Sequence, residues 1–310
     1  MDISIVIPAF NEEKKIAKDI MAAEEFLMKN NLSGEIIIVD DGSKDQTTKS
    51  AEGVVISPRV QKRVIRYPDN RGKGYAVRRG IRESIGKVVM FIDSGLCFNY
   101  AQVSEGYRML TANECDIAHG SRWMPQSRVI IHQPGPRRVA SKVFRWFVFS
   151  FLRIPPHLTD TQCGLKLYKN KVAKEIFAQA MANGYAFDIE IMLRALKRGY
   201  AIKEFPVECH HDHDSRLPTF LISWRVLWEV VSIRKTVGHN VFGNLLFFVK
   251  SRNDNRDVHL YSLLLSGKFA KRTNPDPIGF DGSLNIGIAQ SIQLVFAFIN
   301  FHILQSGMAH

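Results

Sequence analysis

At 310 residues, with 45% hydrophobic and 23% charged side chains, the chain has the make-up of a globular protein able to bury a substantial core, which excludes wholesale disorder. A net charge of +12 asks for an anionic partner: nucleic acid, a membrane surface or a phosphorylated ligand. The four cysteines are scattered without a C-x-x-C pair and read as free thiols of a reducing compartment, and no basic-then-apolar N-terminal region predicts export.

The stretch ISIVIPAFNEE opens as an apolar strand that closes on Pro8 and a polar turn, after which Ile16, Ile20, Ala23, Phe26 and Leu27 recur at helical spacing. SGEIIIVDDGS is a second buried strand, ending on Asp40 and Asp41. A helix-like stretch from Lys44, a short basic strand around KRVIRYP, the loop DNRGKG and the helix YAVRRGIRES follow. They lead to the apolar strand VVMFID, which delivers Asp93 to its C-terminal end. Strands alternating with helices through short Gly/Asp turns predict the α/β class, a mostly parallel sheet flanked by helices.

Beyond Arg122, GPRRVASKVFRWFVFSFLRIPP predicts a helix from about Val139 to Ile154, too short for the roughly twenty residues a bilayer needs. Its Phe, Trp and basic residues suit either a core or a membrane interface. A further amphipathic helix is expected from about Ser223 to Val237. From His239 the chain changes character, which divides it into a domain of residues 1–238 and a tail of 239–310. The tail ends in NIGIAQSIQLVFAFINFHIL, where Asn285, Gln290, Gln293, Asn300 and His302 make a lone spanning helix costly and favour a docking or in-plane membrane helix, with a packed hairpin as the alternative.

Basic residues are clustered. Nine Lys/Arg stand against the single acid Asp69 between Arg59 and Arg82; seven stand with no acid between Arg122 and Arg153, interleaved with Trp and Phe. Glu12, Asp40 and Asp41, at strand ends, are placed to accept hydrogen bonds from base N–H and ribose hydroxyls, although such residues also serve as turn formers and helix caps. Asn70, Gly72, Lys73 and Gly74 make a loop whose glycines let the backbone approach a ligand and whose Lys73 can meet phosphate. It is neither a Walker loop nor a dinucleotide-binding turn. Arg137 and Ser141, four residues apart, share a helix face, and an arginine fork with a hydroxyl suits a phosphate monoester.

IPAFNEE, IVDDGSKDQT, NRGKGYAV and FIDSG, in this order, resemble the family 2 glycosyltransferases of the GT-A fold. GSR at 120–122, DTQCGLKLY at 160–168 and FDIE at 187–190, with KEFPVE after it, resemble the branch of dolichyl-phosphate mannose and glucose synthases and their bacterial polyprenyl-phosphate relatives. The resemblance covers roughly residues 1 to 235. It implies a GT-A domain with a C-terminal helical, membrane-associating appendage. The implied reaction is inverting transfer of a hexose from a UDP- or GDP-hexose to polyprenyl phosphate at the cytoplasmic face of a membrane, the protein being peripheral or held by an embedded C-terminal helix. It also implies a donor pocket of Pro8, Phe10, Glu12, Asp40, Asp41, Asn70, Lys73, Gly74, Asp93 and Ser94. Arg122, Arg137 (with Arg138 as runner-up) and Ser141 grip the lipid phosphate, and Asp93, Arg122 and Asp188 form the reacting centre. A phosphate acceptor is already anionic and needs positioning rather than a base, which leaves Asp188 and Glu190 sugar-contacting or structural roles and Asp160 and Gln162 structural ones. Nucleic acid is not an expected partner, and self-association is left open.

Where the family shows D-x-D and a further polar ligand, this chain has Asp93, Gly95 and Cys97. Three readings follow. Asp93 holds a weakly bound Mg2+ or Mn2+ through the donor diphosphate, the favoured reading. Replacement ligands come from Cys209, His210, His211, Asp212, His213 and Asp214, whose spacing matches no ordinary zinc motif. Or Lys73 and Arg122 neutralise the leaving group without metal. Two other functions stay open: a transferase to a glycan or other sugar acceptor, and a catalytically silent nucleotide-sugar binder. The retained basic acceptor set argues against silence.

Overall fold

Strands β1 (Ile3–Ala9), β2 (Gly34–Asp40), β3 (Val60–Arg66), β4 (Val88–Ile92), β5 (Ile117–Ser121), β7 (Leu165–Lys169) and β8 (Ile202–Pro206) form one sheet in the order β3-β2-β1-β4-β7-β5-β8. The structure, a computed structural model, describes residues 1–130, 135–209, 219–237, 246–250, 258–263 and 269–272. Pairing is parallel except around β7, which runs antiparallel to both β4 and β5. β1, β2 and β4 are buried along their whole length, as mainly apolar strands covered on both faces should be, and the polar Ser4 and Glu35 within them bond to each other at 2.6 Å.

Strand periodicity sorts those runs into two layers. Ile5, Ile7, Ile36 and Ile38 pack on Ile16, Ile20, Ala23 and Leu27 of α1 (Ile16–Lys29). Val6, Ile37 and Val39 point the other way, onto Ala76, Val77 and Ile81 of α3 (Lys73–Glu83). Each fully buried aliphatic side chain of this kind contributes about 1.5–3 kcal/mol. The remaining helices are α2 (Thr47–Gly53), α4 (Val103–Thr111), α5 (Gly135–Leu152), α6 (Asn170–Ala178), α7 (Phe187–Lys197) and α8 (Thr219–Val237). α5 packs partly into the core: Val148 and Leu152 are buried, whereas Trp146 is 40% exposed.

The chain lays β2 and β3 outward on one side of β1 and then, through α3, returns from β3 to place β4 on the other side, so the strand order reverses between β1 and β4. The crevice beyond the carboxyl ends of two such strands is the usual ligand position in open α/β sheets. β1 and β4 pair only as far as Val6 and Phe91, so Pro8, which has no N–H to give, lies past the last β4 pair. A short parallel ribbon, β6 (Arg128–Val129) with β9 (Glu208–Cys209), lies nearby, and an isolated bridge joins Cys209 to Phe98.

The chain divides into two compact units, Met1–Gly243 and Asn244–His310. In the second, β10 (Leu246–Lys250), β11 (Val258–Leu263) and β12 (Phe269–Arg272) form an antiparallel sheet. The described part of the tail is therefore strand where a helical appendage is expected from sequence. LFFVK and VHLYSL are rich in aromatic and branched residues that fit a pleated surface. Residues 285–304 lie outside the described residues.

Candidate active site

The turns after β1 and β2 are stapled to one another. Asn11 N donates to Ser43 Oγ (2.8 Å), Lys44 N to Asn11 Oδ1 (2.8 Å), Glu12 N to Thr47 Oγ1 (2.7 Å) and Gln46 N to Glu13 Oε2 (3.0 Å). Asp40, fully buried, builds this turn by accepting from Ser43 N at 2.8 Å and from the Thr48 hydroxyl. Asp41 organises the neighbouring loop. Its Oδ1 accepts from Tyr67 Oη (2.7 Å) and Arg71 N (2.8 Å), its Oδ2 from Gly72 N (2.9 Å), and its carbonyl from Asn70 Nδ2 (3.1 Å). With Asp41 only 3% exposed, these two carboxylates hold the loops in shape, and Phe10, 38% exposed, is the apolar surface those loops present. Gly74 N donates to Asn183 O at 2.8 Å, which fastens the start of α3 to the loop before α7.

α3 begins with Lys73, and its ammonium lies 2.6 Å from Asp93 Oδ1 at the end of β4. Burial opposes the Lys73 charge, but Asp93, with Asp188 behind it, outweighs this and raises its pKa. Both side chains remain partly exposed, 20% for Lys73 and 30% for Asp93. The backbone of Asp93 is fixed by donation to Gly164 O at 2.9 Å. A Cβ on Gly164 would stand 2.0 Å from Asp93 Oδ2, so the CG of DTQCGLKLY is the floor under the carboxylate.

Beyond Asp93 the chain turns through Ser94, Gly95 (φ 90°) and Leu96 (φ 51°). A side chain at Gly95 would be strained, so this turn is unsuited to the second carboxylate of a D-x-D motif. Cys97 Sγ donates to Ser94 O at 3.2 Å, and the turn's backbone N–H groups are taken by Asp19 of α1.

Asp188, in the first turn of α7, is 3% exposed and pairs with Lys166 of β7, which is itself fully buried. Lys166 Nζ also donates to Cys163 O at 2.7 Å and lies over the Phe91 ring. Burial raises the Asp188 pKa against the pull of Lys166 and Lys73. The order Lys166, Asp188, Lys73, Asp93 thus alternates charge from the core to the surface of the site. Glu190 is structural, accepting from Ala182 N (2.7 Å), Met181 N (3.0 Å) and Arg194 Nε (2.8 Å).

Arg122, at the end of β5, is locked by a two-pronged bond to Asp160: Nε to Oδ2 at 2.7 Å and Nη2 to Oδ1 at 2.9 Å. Nη1 is not part of this fork. Burial works against the Asp160 charge, yet Arg122 and two backbone N–H groups hold its pKa at about 2. The sign is that of a lowered carboxyl: the pair's stabilisation is complete above the ordinary value of 3.8 and drains away as pH falls towards 2. Thermal unfolding between pH 5 and pH 2.5 is therefore expected to show a loss that Asp160→Asn lacks; equal losses in both proteins would contradict the pairing. Arg145 Nε donates to Thr159 O at 2.9 Å and its guanidinium lies 4.5 Å above the Trp123 ring, next to the Arg122 pair.

Arg137 and Ser141 fall on α5, but their side chains, like that of Arg138, lie outside the described residues, as do residues 210–214. Of the acidic and basic candidates, Lys73, Asp93 and Asp188 come together, Asp40 and Asp41 support the loops beside them, and Arg122 stands with Asp160. Sequence reasoning missed Asp19, Lys166 and Tyr67. Two of them had a signal: Asp19 occupies a core position in the Ile16–Ile20–Ala23 stripe, and Lys166 is a lone cation inside an apolar strand. Among the described residues no group of three or more His, Cys, Asp or Glu is placed to hold a metal ion.

The sequence profile described as "Glycosyl transferase family 2" matches residues 4–177. The dolichyl-phosphate beta-glucosyltransferase of Dictyostelium discoideum is 31% identical over 242 residues, covering 75% of this chain and 73% of that protein. Its Homo sapiens counterpart is 32% identical over 233 residues, covering 72% and 71%. Among solved structures, glucosyl-3-phosphoglycerate synthase from Mycobacterium tuberculosis, in complex with Mn2+, UDP-glucose and phosphoglyceric acid, is similar with a TM-score of 0.58. It shares 21% identity, over 85% of this chain and 88% of that one, a likeness of fold. With its strand-end motifs, its doubly covered sheet and these matches taken together, the chain belongs to glycosyl transferase family 2, the nucleotide-sugar-dependent glycosyltransferases.

Proposed function

We propose that this enzyme transfers glucose, with inversion, from UDP-glucose to a polyprenyl phosphate of the dolichyl type. The relatives named above support the sugar and the lipid, and the solved neighbour's UDP-glucose supports the nucleotide. The observation that favours a phosphate acceptor over a sugar hydroxyl is the state of the carboxylates. Asp188 is tied to Lys166, Glu190 to Arg194 and two N–H groups, and Asp160 to Arg122. None of these three is placed to act as a base. A hydroxyl acceptor needs one; a phosphate oxygen is anionic near neutral pH and needs only to be held in line.

The loops shaped by Asp40 and Asp41 receive the nucleotide beside Phe10 and Glu12. Lys73 meets the diphosphate, and Arg122, pre-oriented by Asp160, meets the acceptor phosphate together with Arg137 and Ser141. Charge grows on the departing diphosphate during transfer, so cations fixed before the reaction lower the barrier. Mg2+ is commonly held by one or two carboxylates with substrate phosphates and water. Asp93 fits such a donor-dependent site, because its carboxylate is 30% exposed at the end of β4, with Oδ1 2.6 Å from Lys73 Nζ. Asp93 would hold Mg2+ or Mn2+, which when bound neutralises the diphosphate.

Among the described residues no helix is long and apolar enough to cross a membrane. The basic, aromatic face of α5, with exposed Trp146, supports contact with a lipid surface. The full-length chain is expected to float with anionic vesicles and to be released in part by high salt, which screens only the basic contribution. Absence from the floating fraction at low salt would contradict this. The function itself is tested by giving membranes carrying the chain a panel of labelled nucleotide sugars with dolichyl phosphate. Label is expected in the lipid extract from UDP-glucose. Nucleotide binding without transfer to any acceptor would favour the silent reading.

A further inference from the structure

Asp19 stands in the buried stripe of α1, a place where a carboxylate is disfavoured, and it is 3% exposed. Its two oxygens accept from Gly95 N (2.8 and 3.1 Å) and from Leu96 N (2.8 Å). Both donors have left-handed φ angles, 90° and 51°, and both N–H groups turn onto the one carboxylate. Around it, Lys15 caps the start of the same helix, Asp93 stands at the end of β4, and Tyr100 lies in the short helical turn Tyr100–Gln102, its buried hydroxyl without a hydrogen-bond partner among the described residues. Burial pushes the Asp19 carboxyl up to about 6 despite the two N–H donors. A polar tie at this cost is aimed at the two residues that follow Asp93 and Ser94.

We infer that Asp19 is a positioning residue for the donor diphosphate: by clasping the N–H groups of Gly95 and Leu96 it fixes the turn that presents Asp93 and Ser94. The inference rests on the glycosyl-transfer reading. It also explains Gly95, since the residue that replaces the second carboxylate adopts a conformation that turns its N–H towards α1. The clasp supplies by backbone tethering some of the rigidity that a second metal ligand would have supplied by coordination.

The test uses the full chain with Asp19→Ala and Asp19→Asn, the latter keeping one acceptor oxygen. Amide exchange at Gly95 and Leu96, UDP affinity by calorimetry, and turnover are measured together. Turnover is read both with dolichyl phosphate and as slow hydrolysis of UDP-glucose without lipid, so that a wrong acceptor leaves the second reading intact. In Asp19→Ala the two amides are expected to lose protection and kcat to fall roughly ten- to hundredfold in both reactions, with UDP affinity changed less than about twofold. Asp19→Asn is expected to recover a large part of both. Loss of amide protection with unchanged kcat would overturn the inference. So would a fall in kcat that tracks thermal stability alone across the two variants, or a fall in UDP affinity as large as that in kcat. If Asp19→Ala does not fold, Asp19→Asn decides on the same readouts, with a smaller loss of protection and of kcat expected than in the clasp's absence. Unchanged values in a protein that retains its fold would then contradict it.

Discussion

Lys166→Met is expected to destabilise the protein by about 3–5 kcal/mol, the usual effect of removing one partner from a buried ion pair. Methionine fills much of the lysine volume, so the loss is chiefly electrostatic. Asp188 stays fully enclosed, and the carbonyl of Cys163 loses its donor. The charge left behind makes the effect depend on pH in a known direction. Burial already raises the Asp188 pKa, and without Lys166 it rises further. A carboxyl whose folded value lies above its unfolded value contributes stability in acid that is lost as pH rises. The variant is therefore expected to be least impaired near pH 4 and most impaired near neutrality. A double variant, Lys166→Met with Asp188→Leu, is expected to regain a large part of the loss, because an apolar pair needs no compensation. Denaturant unfolding of the unaltered protein, Lys166→Met, Asp188→Leu and the double variant at two pH values checks this. Equal destabilisation at both pH values, or strict additivity of the two substitutions, would show that the pair is not coupled as its contact requires.

Asp93→Asn is expected to lower turnover by about 10²–10³, in line with the removal of one fixed charge-stabilising group, while UDP binding weakens far less. Asparagine preserves the shape above Gly164 and the N–H bond to its carbonyl. It removes the charge that holds Lys73 in place and the carboxylate that would carry Mg2+ or Mn2+. EDTA is expected to reproduce much of this loss in the unaltered protein and little further loss in the variant. With a single protein carboxylate, Mn2+ is expected to bind weakly alone and more tightly with UDP present. Full activity in EDTA would assign charge neutralisation to Lys73 and Arg122 instead. Unchanged turnover in a folded Asp93→Asn protein would remove Asp93 from the donor site altogether.

Much of the frame was legible in the chain because local rules determine it. The apolar runs of β1, β2 and β4, bounded by turn residues, read as strands covered on both faces, and the spacing of Ile16, Ile20 and Ala23 reads as one face of a helix. Short turns with Asp and Gly placed Asp41, Lys73 and Asp93 at the same sheet edge. Facts of long-range pairing were not legible. LKLYK is legible only as part of the motif DTQCGLKLY; its insertion as a strand antiparallel between β4 and β5 depends on neighbours some fifty and seventy-five residues away, as the register Ile117↔Tyr168 and Phe91↔Lys166 shows. For the same reason Lys166 could be noticed as an oddity yet not assigned to Asp188. Arg122 looked like an arginine awaiting a phosphate, whereas Asp160, thirty-eight residues on, already holds two of its nitrogens. Asp41 looked like a ligand-binding carboxylate, and its lone pairs turn out to be committed largely to Tyr67, Arg71 and Gly72. In the tail, the cross-strand partners that make β10 to β12 a sheet leave little trace in any one segment.

The central claim, that a positioned phosphate oxygen attacks the sugar without a protein base, is tested most directly by a comparison of acceptors. The purified full-length chain in detergent or lipid would receive UDP-glucose labelled in the sugar, with Mn2+, and either dolichyl phosphate, dolichol or a soluble glycan. The account predicts label in a lipid that carries the phosphate, with the β configuration at the new bond, and none in dolichol or the glycan. Transfer to dolichol or to the glycan at a comparable rate would contradict it, because either acceptor needs a base that Asp160, Asp188 and Glu190, each already paired, do not supply.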